Sequence, residues 1–182
     1  MDENVVKISK FLSLVLRHQP DKIGITLEDN GWVCVGDLLK ASEDNGFSIS
    51  KEELERVVLT SDKKRFSFSE SGEKIRANQG HSVDVKIEFS ETVPPHILFH
   101  GTVPKALDGI RSKGILQMGR QYVHLSDSID NAKVVGSRRG KPIVLAVNAE
   151  KMVCNGHKFY LSNNGVWLTK IVPYKYLDEC DL

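Results

Sequence analysis

The apolar residues change period part-way along this 182-residue chain, and that change limits its fold more than any other feature. Ile8, Phe11, Leu12 and Val15 stand at the i, i+3, i+4, i+7 spacing of one helical face, predicting a helix over Val5–Arg17 that Pro20 ends. Ile23, Ile25 and Leu27 then alternate as in a strand, and Asn30-Gly31 signals a tight turn before Trp32-Val33-Cys34-Val35. A short helix is expected around Leu38–Ala41 with Asp37 as its cap. Ser50 and Glu53 have the spacing of a capping box, in which each side chain satisfies the other's free backbone N–H, for a helix running to about Leu59. Arg65–Ser69 and Lys74–Asn78 alternate on either side of Ser71-Gly72, a predicted β-hairpin. Helices followed by a hairpin read as a winged-helix-like lobe.

Beyond this point period two dominates. Val83, Val85, Ile87 and Phe89 alternate as a strand, and Pro94-Pro95 breaks the chain. Ile97–Phe99 is a short apolar strand running into His100-Gly101-Thr102, and a helix over Pro104–Lys113 stops at Gly114. Tyr122–Ser126 reads as a strand, with Ser126 or Asp127 capping a helix through Val135. Pro142–Val147 is a buried strand, and Phe159-Tyr160 and Val166–Leu168 supply two more around Asn163-Asn164-Gly165. Many short strands with few helices make a small second lobe with its own core. The expected protein is therefore α+β with two lobes, 1–85 and 86–182, joined between Ser82 and Pro95.

Charge and cysteine usage remove several function classes. Lys+Arg number 25 and Asp+Glu 24, so the net charge of +1 offers no bulk attraction to nucleic acid. The two halves differ, however: residues 1–89 are net −3 and residues 90–182 net +4. No run approaches the ~18 apolar residues of a membrane span. The opening Met1-Asp2-Glu3-Asn4 is acidic, unlike the basic start of a signal peptide. Cys34, Cys154 and Cys180 are odd in number and far apart, which predicts reduced thiols in a cytoplasmic protein. His96, His100, His124 and His157 share no metal-ligand spacing, so no metal is expected. A Gly-x-Ser-x-Gly elbow is missing, and Cys34 sits in an apolar strand where a core role is expected.

The residues left to carry chemistry are mostly cationic. Arg17-His18 closes the first helix, where both could simply meet the negative pole of its dipole. Lys63, Lys64, Arg65, Lys74 and Arg76 face only Glu70 and Glu73, giving a hairpin that is either solvated or suited to gripping phosphate. Gln79-Gly80-His81-Ser82 would serve a ligand or a turn equally well. In His100-Gly101-Thr102, glycine lets a ligand approach the backbone. His124 and Ser126 fall on the same strand face. Gly136-Ser-Arg138-Arg139-Gly140 has no following Lys-Ser/Thr, so it reads as a basic turn and not a phosphate loop.

Taken together, six blocks are identified as those of the RNA 2′-phosphotransferase (KptA-like) family. They are Ser9–His18, Ser61–Phe66, Arg76–Ser82, Leu98–Thr102, Val123–Ser126 and Asn164–Leu168, in that order, and the likeness runs from about Val5 to Leu177. Phe99 stands where the family frequently has Tyr, and Arg138 is followed by a second arginine. The resemblance implies an N-terminal winged-helix-like RNA-binding lobe followed by a C-terminal ADP-ribosyltransferase-like lobe that binds NAD as co-substrate, without metal. It places catalytic side chains at Arg17, His18, Arg65 and Arg120. It places NAD at His100, Gly101, Thr102, His124, Leu125, Ser126 and Val166, with His100, His124 and Val166 as a His-His-apolar triad. RNA contacts are expected from Arg17, His18, Lys64, Gln79 and His81. The implied reaction removes an internal RNA 2′-monophosphate and releases nicotinamide and ADP-ribose 1″,2″-cyclic phosphate, with tRNA from splicing the family's best-known substrate. A cytoplasmic monomer with no membrane partner is expected. An ADP-ribosyltransferase acting on nucleic-acid phosphate ends or on protein, and a non-catalytic winged-helix nucleic-acid-binding module, are the rival readings.

Overall fold

The computed structural model describes residues 3–61, 64–87 and 89–180. Lys63 of the basic cluster lies outside the described residues. The chain is α+β and divides into two compact units, Met1–Glu88 and Phe89–Leu182.

In the first unit, α1 (Glu3–Arg17) buries Ile8, Leu12, Val15 and Leu16, the face its apolar spacing predicts. A 3-10 turn, Pro20–Ile23, follows, so the alternation of Ile23, Ile25 and Leu27 makes no strand. Ile23 and Ile25 are instead core residues, the first closing the 3-10 turn and the second on the irregular backbone after it. Strand β1 is only Val33–Cys34, and α2 begins directly at Val35 and runs to Asp44. Asp37 lies inside the first turn of α2 and is not its cap; Cys34 holds that position. The Cys34 side chain is exposed, because Val33 takes the inward place in so short a strand, so the expected core role for this thiol fails. Helix α3 (Lys51–Thr60) carries both hydrogen bonds of the capping box between Ser50 and Glu53. Strands β2 (Phe66–Phe68) and β3 (Lys74–Ala77) form the hairpin, with β3 central in the order β1-β3-β2. Residues 83–87 form no strand; the alternation there reflects the burial of Val85 and Ile87.

The second unit is built on a sheet of β4 (Ile97–Thr102), β7 (Ile143–Asn148) and β11 (Leu177–Glu179), antiparallel in the order β11-β7-β4. A second sheet runs β6 (Val123–Leu125), β9 (Trp167–Thr169), β8 (Tyr160–Leu161), and β5 (Ile115–Leu116) pairs with β10 (Ile171–Val172). His100-Gly101-Thr102 forms the last three residues of β4, at the strand end as expected, paired to Leu145, Val144 and Ile143. A reciprocal pair of backbone hydrogen bonds between Phe99 and Ser126, 2.7 and 2.9 Å, links β4 to the end of β6. Helix α4 (Leu107–Lys113) follows a short 3-10 turn and ends at Gly114. Helix α5 (Ile129–Ser137) is capped by Ser128, whose hydroxyl accepts from the Asn131 N–H; neither Ser126 nor Asp127 is the cap. A helix unforeseen from the sequence, α6 (Ala149–Cys154), is capped by Asn148.

Gly101 shows why α5 can lie directly on β4. A Cβ there would overlap the carbonyl oxygen of Ala132 and stand 2.9 Å from the Gly136 nitrogen, both backbone atoms of α5. Gly136 is matched from the other side: its Cβ would come within 2.9 Å of the Thr102 carbonyl oxygen. The glycine of His-Gly-Thr thus answers first to a backbone-to-backbone contact.

Two tests follow from this packing. Gly101→Ala should force α5 off β4 and destabilise the protein by about 2–3 kcal/mol; a urea-unfolding midpoint equal to wild type would contradict the contact. The second concerns His81, 2% exposed, whose pKa is pushed down to about 4 by burial first and then by the charges of Arg17, His18 and Arg76. Between about 4 and the unfolded value of 6.5, the unfolded chain binds a proton that the folded chain refuses. Stability should therefore fall as pH drops through that window, by up to about 1.4 kcal/mol per pH unit for this group. Urea unfolding of His81→Asn should show a shallower slope over the same range, and parallel slopes would remove His81 as the cause.

Candidate functional site

In the first unit the expected site residues gather around the end of α1. The Arg17 carbonyl accepts the backbone N–H groups of Ser82 at 2.9 Å and Val83 at 3.4 Å, which brings the Gln79–Ser82 segment to the helix end. These bonds take a carbonyl that the helix leaves without an internal partner. His18 Nδ1 lies 2.9 Å from the Ser82 hydroxyl, which fixes the ring while its edge stays exposed. The half-buried Arg17 side chain donates from Nη2 to the Arg65 carbonyl at 3.4 Å, and its guanidinium stands 5.7 Å from the Phe66 ring centroid. Arg65 in turn donates to the Ser61 hydroxyl. Arg76 lies 4.5 Å over the Trp32 ring, and burial lowers its pKa from the ordinary arginine value.

The Arg17-His18 end of α1 is thus linked through the Arg17 side chain to the backbone of Arg65, and Lys64, next to Arg65 in the chain, is exposed. Gln79 is half-buried. His81, expected to touch RNA, is in the interior instead: a Cβ on Gly31 would stand 3.5 Å from its Nε2. Any influence it has on a surface ligand runs through its neighbours. Asn78 was not singled out in the sequence, yet it is 3% exposed and ties the hairpin to the Lys64–Arg65 backbone. It lies in the Arg76–Ser82 block, but its local sequence does not show this role, because the partner carbonyls belong to the segment before β2.

In the second unit, proton positions follow from which partners can only donate or only accept. His100 Nδ1 is 3.2 Å from the His124 carbonyl oxygen, which can only accept, so the proton of His100 is on Nδ1. Desolvation, followed by the charges of Arg139 and Arg120, lowers the His100 pKa and keeps the ring neutral, with an open acceptor at Nε2. Arg120 Nη1 lies 2.9 Å from His124 Nδ1. A guanidinium can only donate, so Nδ1 of His124 accepts and its proton sits on Nε2. The two imidazoles consequently present opposite functions, an acceptor on one and a donor on the other. Arg120 has its pKa lowered by desolvation first, then by Arg139 and Arg138. Much of its side chain is open to solvent, so the charge itself persists.

The remaining expected NAD residues divide by burial. His124 lies on the face of β6 opposite the buried Val123 and Leu125. Leu125, 2% exposed, belongs to the core, and Thr102 is 8% exposed. Ser126 and Val166 are half-buried; Val166 lies just before β9, its N–H bonded to the Ser162 hydroxyl. Among the described residues no group of three or more His, Cys, Asp or Glu could hold a metal ion, and no helix is long and apolar enough to cross a membrane.

Comparison with known proteins places these clusters in context. Residues 3–171 match the family described as RNA 2′-phosphotransferase, Tpt1 / KptA family. A protein of Nostoc punctiforme named "Probable RNA 2′-phosphotransferase" is 51% identical over 178 residues, 98% of each chain. Relatives of the same name from Acaryochloris marina and Flavobacterium johnsoniae are 46% and 50% identical, covering 100% and 98% of both chains. A match that spans both units and holds near half identity over whole lengths leaves no part of the fold outside the likeness. The chain is an enzyme belonging to the RNA 2′-phosphotransferase, Tpt1 / KptA family.

Proposed function

We propose that this enzyme removes an internal 2′-monophosphate from RNA, such as a spliced tRNA in the cytoplasm, with NAD as co-substrate. The first unit serves as a winged-helix-like RNA-binding lobe and the second as an ADP-ribosyltransferase-like NAD-binding lobe. The observation that carries the reading is the pair of side-chain clusters. Arg17, His18 and Arg65 gather donors suited to a phosphomonoester. His100 and His124 pair an acceptor with a donor, which suits the hydroxyls of a ribose. Val166 completes the triad, and the backbone of Gly101, Thr102, Leu125 and Ser126 lines the nucleotide.

In the first step an oxygen of the RNA 2′-phosphate attacks the ribose carbon that bears nicotinamide. The C–O bond forms as the C–N bond breaks, and nicotinamide departs with the bonding electron pair. In the second step the 2″-hydroxyl of the ADP-ribose loses its proton and attacks phosphorus. The RNA 2′-oxygen leaves with the P–O pair and takes up a proton, giving 2′-OH RNA and ADP-ribose 1″,2″-cyclic phosphate. The phosphate is nucleophile first and electrophile second, so the protein needs no nucleophile of its own. Arg17, His18, Lys64 and Gln79 position the RNA phosphate, while Arg65 and Arg120 meet the charge that builds on the non-bridging oxygens in the second step. A cation helps little while phosphate charge is being spent in attack; it stabilises the second transition state more than the ground state.

Purified protein mixed with NAD and a 2′-phosphorylated oligonucleotide should release nicotinamide and 2′-OH RNA in equal amounts. Nicotinamide release without loss of the 2′-phosphate would point to a simple ADP-ribosyltransferase and overturn this reading. Arg65→Ala or Arg120→Ala should slow the second step by ~10²–10³, judged by oxyanion-hole deletions. Single-turnover gels should then show the ADP-ribosylated RNA intermediate as a slow-migrating band. If intermediate formation slows as much as its decay, and no band appears, the assignment of these arginines to the second step is wrong.

A further inference from the structure

The segment that presents Arg65 is held in an unusual backbone state. Lys64 has φ +37°, one of two non-glycine residues with positive φ among the described residues, and an L-residue in that region is strained unless something holds it. The Lys64 N–H donates to the Ser61 carbonyl at 2.8 Å. The opposite end of the same residue is gripped from just beyond β3: the Asn78 carboxamide donates from Nδ2 to the Lys64 carbonyl at 2.6 Å. The Asn78 backbone N–H also donates to the Arg65 carbonyl at 2.9 Å, the same oxygen that Arg17 approaches at 3.4 Å. Asn78 is 3% exposed, so its geometry is set by packing and not by solvent. The orientation of the amide is settled too, since the other one would put two acceptors face to face.

We propose that Asn78 is a positioning residue for Arg65, locking the left-handed backbone at Lys64 so that the guanidinium leaves the hairpin in its working direction. The inference rests on the reading above that Arg65 acts on the phosphate. Asn78 is too buried to be a contact to RNA; it acts on the reaction only by determining where the Lys64–Arg65 backbone runs. An error of about 1 Å in such a group can cost ~10²-fold in rate, so a buried amide can matter as much as an exposed cation.

The test is single-turnover kinetics of the full chain with NAD and a 2′-phosphorylated oligonucleotide. Asn78→Ala should slow decay of the ADP-ribosylated intermediate by roughly 10- to 100-fold and accumulate the same slow-migrating band as Arg65→Ala. Added to Arg65→Ala, it should cost little more, about twofold or less, since its effect passes through a side chain already gone. Ile75→Val, a buried change in β3 three residues before Asn78, controls for general loosening and should leave the decay rate near wild type. A second pair reads the backbone at an exposed position where folding is not at risk: Lys64→Asn and Lys64→Val both lose the ammonium, but only asparagine tolerates the left-handed region. The valine variant should decay about tenfold more slowly than the asparagine variant. Full rate in Asn78→Ala, a multiplicative loss in the double variant, an equal loss in Ile75→Val, or equal rates for the Lys64 pair would each overturn the proposal. Full rate in Arg65→Ala would overturn the role given to Arg65, and with it this proposal, through a different variant.

Discussion

The carbonyl of Arg17 is the point on which the arrangement of the first unit's candidate site depends. A helix end leaves carbonyls without internal partners, and here that vacancy is filled by the N–H groups of Ser82 and Val83. One consequence is structural: the segment after the hairpin is tied to the end of α1. Another is chemical, since the same contact sets Ser82 beside the His18 ring and holds Gln79 and His81 near the helix end. Arg17 extends the link through its side chain to the Arg65 carbonyl. Three segments far apart in sequence are thereby tied together, two by backbone bonds and the third through the Arg17 side chain.

The second unit reaches preorganisation by another route. The His124 carbonyl fixes the His100 ring and the Arg120 guanidinium holds the His124 ring. Each partner permits one proton position only, so the acceptor and donor faces of the pair are settled without a charge on either ring. The approach of α5 to β4 through Gly101 and Gly136 holds the strand that carries His100. A glycine in a motif invites a ligand-based explanation, and here the helix backbone already accounts for it.

Local order was legible in the sequence wherever one short segment carries its own signal. The apolar face of α1, the capping box of α3 and the hairpin of β2 and β3 all stand where periodicity and cap chemistry place them, because their hydrogen bonds close within one short stretch of chain. The six motif blocks likewise carried the family. Alternation misled at Ile23–Leu27 and over residues 83–87, where Ile23, Ile25, Val85 and Ile87 are buried without a strand. Period two reports burial; a strand also needs a neighbouring ladder, which no single segment can announce.

What the sequence determined by itself, then, is the set of residue types and the local elements that carry them: α1 ending in Arg17-His18, a basic hairpin, a His-Gly-Thr strand and a His-Leu-Ser strand. Tertiary structure alone decided which of them meet. It put His81 inside and Cys34 outside, set Arg120 on His124, and brought Asn78 to the carbonyl of Lys64. The reason is range. Propensity and capping act over a few residues, whereas these contacts depend on where separate elements pack, and their partners lie from 4 residues apart, across a loop, to 65 apart, across a whole unit.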